Sequence, residues 1–103
     1  MQCATVLYPN KQGASFNFEY YTTKHVPMTA GLLATSIEVR KGISSPTGSP
    51  PAFVCVATIW LKSVEEFQAA MAKHGEQILG DVPNYTNIEP IIQLDDVLIG
   101  ATS

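Results

Sequence analysis

Charge is scarce in this chain. Its 103 residues include six Lys and Arg and nine Asp and Glu, 15% charged against 46% hydrophobic, with a net charge of -3. No cluster of basic residues could neutralise a row of phosphates, so nucleic acid is not an expected partner. An ordinary soluble surface needs more charge than this, so some surface is expected to be covered by a partner. Cysteine is scarce too. Cys3 and Cys55 are too few and too far apart for a disulfide framework or a CxxC pattern, and with two histidines a structural zinc site is not expected. No GxGxxG, P-loop, HExxH or GxSxG occurs, which removes support for nucleotide, zinc-protease and serine-hydrolase chemistry, and no cofactor is expected. The opening run from Met1 to Pro9 lacks a charged segment and is too short for a signal peptide or membrane span. The expected location is cytoplasmic, without a membrane partner.

What remains is enough apolar material for one core, so residues 1–103 are expected to form a single domain. Gln2 to Tyr8 combines β-branched and aromatic residues and stops at the Pro9-Asn10 turn signal, a first strand. Between Phe16 and His25, the residues Phe18, Tyr21 and His25 recur at helical spacing, with Ser15 or Asn17 as N-cap. Pro27 predicts that this helix ends or kinks just after His25, and leaves room for a short further turn through Leu32 or Leu33. Thr35 to Ile43 alternates, with Ile37, Val39 and Lys41 on one face and Glu38 and Arg40 on the other. Ile43 to Pro51 has the composition of a long exposed hairpin loop. Phe53 to Leu61 is an apolar run without alternation, a third strand covered on both faces.

Ser63 with Glu66 forms a capping-box pattern ahead of a second helix, whose apolar stripe is Val64, Phe67, Met71 and Ile78 together with His74. Gly80 and Pro83 stop it, and Ile91 to Ile99 is a fourth strand. The order βαββαβ predicts an α+β, ferredoxin-like fold with a four-stranded antiparallel sheet and both helices on one face. Strand three, apolar on both faces, leaves an apolar sheet face that two helices do not cover. A homodimer joined through the sheet faces accounts for it most simply, and a packed loop or tail is the alternative cover.

Four blocks of residues carry a family resemblance: Tyr8-Pro9, the run from Phe18 through Tyr20-Tyr21-Thr22-Thr23-Lys24-His25-Val26-Pro27 to Met28, the run Asp81-Val82-Pro83-Asn84-Tyr85-Thr86, and Pro90-Ile91-Ile92-Gln93. Over nearly its whole length the chain is similar to the EthD family, named for ethyl tert-butyl ether degradation, within the dimeric α+β barrel superfamily. The resemblance implies a barrel built from the two sheets of a homodimer, with a cleft between the sheet and helices of each subunit. Superfamily members include cofactor-free monooxygenases, lactone isomerases, cyclases, dehydratases and haem-degrading enzymes, so the fold leaves the reaction open.

Within this frame His25 is the leading acid or base candidate, standing at an expected helix C-terminus where the macrodipole favours imidazolium. A helix-capping histidine is its structural reading. His74 is a second acid–base candidate or a core histidine bonded to one backbone group; a lone histidine on this helix also resembles the place where haem-degrading relatives hold iron, without the rest of their pattern. Tyr20, Tyr21 and Tyr85 offer phenols to a substrate oxygen, and spacing favours Tyr21, which shares a helix face with His25. Met28, Trp60, Phe67 and Met71 are candidates for an apolar substrate pocket or plain core. Lys24 and Asp81 read as solvated or capping charges, and Cys3 and Cys55 as buried, poor nucleophiles. The expected function is an enzyme acting without metal or nucleotide on a small apolar oxygenated or aromatic compound, by proton transfer, dehydration or cofactor-free oxidation. The rivals are an accessory or carrier protein for a hydrophobic intermediate and a dimeric scaffold with a filled interior.

Overall fold

The computed structural model describes residues 1–100. Its four strands, β1 (Gln2–Pro9), β2 (Ile37–Lys41), β3 (Phe53–Leu61) and β4 (Ile91–Asp96), form one sheet in the order β2-β3-β1-β4, with every neighbouring pair antiparallel. This is the ferredoxin-like arrangement. Register follows from the pattern of apolar residues. Ala4, Val6 and Tyr8 pair with Ile59, Ala57 and Cys55, and all six are buried. Ile37, Val39 and Lys41 of β2 continue the same face across Ile59, Ala57 and Cys55. Val56, Leu7 and Ile91 form a row on the opposite face. β4 ends at Asp96, short of Ile99, which is exposed.

The first helix departs from expectation. It begins with α1 (Phe18–Tyr20), where Asn17 Oδ1 accepts from the Tyr20 N–H at 3.0 Å, widens into a π turn (Tyr21–His25), and continues as α2 (Val26–Leu33). His25 therefore does not stand at a helix C-terminus. Pro27 is tolerated because it opens the first turn of α2. The π turn has already moved the bonding pattern by one residue, with the Val26 N–H donating to the Tyr21 carbonyl. Thr22 and Thr23, whose carbonyls a residue-27 N–H would have engaged, are exposed to water. Ala34, at φ 53°, ends the segment in the left-handed conformation.

The second helix, α3 (Val64–Gly80), behaves as its sequence predicts. It is capped by Ser63, whose Oγ accepts from the Glu66 N–H at 3.0 Å. Gly75 and Ile78 are buried along it, and Phe67, Met71 and His74 are half-buried. Among the described residues no helix is long and apolar enough to cross a membrane.

Candidate functional site

The π turn brings Tyr21 and His25 onto the face that meets the sheet. Both are buried, and their rings stack at 5.5 Å with an interplanar angle of 17°. A π turn carries more residues per revolution than an α turn, so side chains four apart lie more nearly above one another. Such turns recur at functional sites.

The second half of the site comes from the segment after α3. Asp81 caps that helix, and the turn Val82–Asn84 delivers Tyr85 into the core. The segment is pinned to the chain before α1. The Asn17 N–H donates to the Tyr85 carbonyl at 2.8 Å, Thr86 Oγ1 donates to the Ser15 carbonyl at 2.7 Å, and the Asn87 side chain bonds both Ser15 N–H and the Gly13 carbonyl at 2.9 Å. Tyr85 is thus held 4.6 Å from the His25 ring, centroid to centroid.

A polar chain runs through this apolar interior. His25 Nδ1 lies 2.9 Å from Asp81 Oδ2. A carboxylate accepts, so Nδ1 carries a proton, and in the neutral tautomer this leaves the Nε2 lone pair for the cavity side. Tyr85 OH lies 3.4 Å from Nε2, and Tyr8 OH is 2.7 Å from Tyr85 OH. Donation from Tyr8 to Tyr85 to Nε2 is the direction consistent with that tautomer. At 3.4 Å the last bond is long and weak, so Nε2 can exchange it for a ligand.

Asp81 is itself held from behind by Tyr20 OH and Asn84 Nδ2, each donating to Oδ1 at 2.8 Å. Partial burial pushes its carboxyl up, but the bonds from Asn84, His25 and Tyr20 outweigh burial and hold it below the usual carboxylate range. Burial raises the phenols of Tyr8, Tyr21 and Tyr85 well above the usual range, so they serve as protonated donors. Burial likewise pushes the Cys55 thiol up to about 11, leaving little thiolate near neutral pH.

The cavity beside this chain has a volume of about 40 Å³. A water needs roughly 10–15 Å³ measured in this way, so anything larger than a few waters must widen it. His25, Tyr21, Tyr85, Tyr8 and Thr29 are the residues of its wall that carry polar side-chain atoms, and Val6, Ala57, Ile59, Phe67, Met71 and Ile78 make much of the rest. Of the residues singled out from sequence, His25, Tyr21, Tyr85, Phe67 and Met71 meet here. Tyr20 stands behind Asp81 and stacks on Tyr85 at 6.3 Å. Met28 meets α3 instead, its Sδ accepting from Gln77 Nε2 at 3.6 Å. His74, half-buried on α3, is not in the cavity wall, although Met71 and Ile78 on either side of it are. Trp60 pairs with Cys3 and follows the inward-facing Ile59, so it projects from the opposite sheet face; it borders a separate groove with Leu32 and Glu66.

Asp81, Thr29 and Tyr8 belong to the site although the sequence does not single them out for it. Asp81 is within reach of sequence reasoning: it opens the second resemblance block, and a carboxylate there is a natural partner for the histidine of the first. Nothing in the sequence signals the Thr29 environment. Among the described residues no group of three or more His, Cys, Asp and Glu is placed to hold a metal ion.

Residues 13–89 match the model of the EthD domain. The fold is similar to an EthD-like protein from Ralstonia eutropha JMP134, at 40% identity and a TM-score of 0.91, covering 98% of this chain and 95% of the other. It is also similar to an ethyl tert-butyl ether degradation family protein from Bacillus halodurans C-125, at 17% identity, TM-score 0.68 and coverage of 95% and 99%. A fainter likeness reaches HapK from Hahella chejuensis, at 12% identity, TM-score 0.53 and coverage of 97% and 98%. No curated protein matches. Since the domain model spans most of the chain and the Ralstonia protein aligns along nearly all of it, the chain belongs to the EthD family.

Proposed function

We propose that this protein is an enzyme that moves a proton on a small, mostly apolar oxygenated or aromatic compound, with His25 Nε2 as the base and the Tyr85 phenol as donor to the substrate oxygen. The observation that carries this reading is the His25–Asp81 pair, 2.9 Å apart, opening onto an apolar cavity beside a buried phenol. Abstraction of a proton from carbon next to a carbonyl places negative charge on the carbonyl oxygen, where Tyr85 donates a hydrogen bond. The proton goes to Nε2, and Asp81 stabilises the resulting imidazolium. Tyr21 packs flat against the imidazole and fixes its plane, Phe67 and Met71 wall the substrate, and Tyr20 positions Asp81. Release of the proton back to another substrate position completes an isomerisation, and its transfer to a departing β-hydroxyl, expelled as water, completes a dehydration.

The direct test is exchange of carbon-bound protons of aryl ketones and 1,3-diketones in D₂O, followed by proton NMR. Exchange accelerated by the wild-type protein and lost in His25→Gln is the expected result. A compound that binds the cavity with no accelerated exchange supports the carrier reading, which the largely apolar wall otherwise suits.

We also propose a homodimer through the sheet faces. The row Val56–Leu7–Ile91 lies on the face away from the helices, and Ile91 is 52% exposed. Val56→Asp puts an unpaired charge into that row and is expected to give monomers by light scattering. A dimer unaffected by the substitution would place the interface elsewhere.

A further inference from the structure

We infer that Thr29 is a second polar anchor in the cavity, and that the ligand is therefore a small compound carrying two oxygens, one met by Tyr85 beside His25 and the other by the Thr29 hydroxyl. The inference rests on the cavity being a substrate site and adds to it the class of substrate. Thr29 is 5% exposed and lines the cavity. Among the described residues, Thr29 Oγ1 is the buried side-chain oxygen or nitrogen left without a hydrogen-bond partner.

A helical threonine does not have to be left this way, because the carbonyl one turn back is within its reach. Two threonines of the same segment use it: Thr22 Oγ1 donates to the Phe18 carbonyl at 2.8 Å and Thr23 Oγ1 to the Glu19 carbonyl at 2.6 Å. Thr29 declines the equivalent bond. A buried hydroxyl without a partner is destabilising, and valine would fill the same space without one. The missing partner is supplied when a ligand oxygen enters the cavity.

Thr29 follows His25 by four residues on one helical face, so the two side chains are neighbours along it. A threonine hydroxyl donates and accepts, so the second oxygen can be a carbonyl or a hydroxyl. The cavity of about 40 Å³ must open even for one ring, which favours monocyclic compounds.

The test compares resorcinol with phenol, which lacks the second oxygen, by NMR titration of the isotope-labelled protein, following the amides around His25 and Thr29. Wild-type protein is expected to bind resorcinol about three- to tenfold more tightly than phenol, the worth of one hydrogen bond. Thr29→Val should bring resorcinol down to the affinity of phenol, and Thr29→Ser, which keeps the hydroxyl, should preserve the preference. Without ligand, Thr29→Val should unfold at the same or a higher temperature than wild type. Equal affinity of wild type for the two compounds, no binding of resorcinol at these residues, an unchanged preference in Thr29→Val, or a lower unfolding temperature for that variant would each overturn the inference. A normal preference for resorcinol with no proton exchange on any bound ketone would instead remove the enzymatic reading and leave the two-oxygen site standing.

Discussion

The two helical segments lie against the same sheet and line the same cavity, yet they are built differently. α3 runs as a regular α-helix for 17 residues and gives the cavity Phe67, Met71 and Ile78. The first segment changes its hydrogen bonding at Tyr21–His25 and gives the cavity Tyr21, His25 and Thr29. A regular amphipathic helix makes a wall, whereas the irregular one aims polar groups into an apolar interior. That aim carries a cost: His25 and Thr29 are buried polar residues, and the bond of His25 to Asp81, itself held by Tyr20 and Asn84, offsets part of it.

If chemistry belongs to the irregular segment and stability to the regular one, substitutions should separate the two. His25→Gln should show the largest effect, lowering proton exchange by about 10²- to 10⁴-fold, the usual worth of a positioned acid or base, with the fold intact by circular dichroism. Asp81→Asn should lower exchange by less, about 10- to 100-fold, because Asp81 holds the imidazole and does not itself take the substrate proton.

Asp81→Asn should also change the dependence of stability on acid. The Asp81 carboxyl sits below its unfolded value, so the unfolded state binds more protons as pH falls through the two values. Its contribution is fully present above the ordinary carboxylate range and is lost as pH falls through the folded value. Denaturant unfolding at a series of pH values should show this acid-labile part in wild type and lack it in Asp81→Asn. At the small end, Ser63→Ala removes the cap of α3 and should destabilise the protein by about 1 kcal/mol while leaving exchange by the folded protein unchanged. A large loss of exchange in Ser63→Ala would show that α3 is more than a wall.

The same contrast explains which parts of the molecule are legible in the sequence. The strand cores, the Ser63 cap and the apolar stripe of α3 are local patterns with a fixed period, and each can be read from the residues alone. The blocks around His25 and Tyr85 can be recognised as belonging together, but not how. Pro27 points correctly, from local sterics, to an interruption, but the π turn absorbs it by widening instead of ending the helix. Asp81 reads as a capping charge because its partners, Tyr20 and His25, lie 61 and 56 residues away. The orphaned hydroxyl of Thr29 depends on the packing of α2 against sheet and α3, and no periodicity reports that. Trp60 is misplaced for a simpler reason: in a strand apolar on both faces, alternation assigns no face until pairing is known, and pairing sets Trp60 beside Cys3.

The chemistry of the site turns on the protonation of one ring. Long-range ¹H–¹⁵N NMR of histidine-labelled protein at neutral pH, with His25 assigned by its absence in His25→Gln, reads it directly. A proton on Nδ1 with Nε2 bare is the expected tautomer, its signals shifting when a ligand fills the cavity. A ring with its proton on Nε2 and Nδ1 bare would mean that Asp81 does not hold the ring as described, and would contradict His25 as the base.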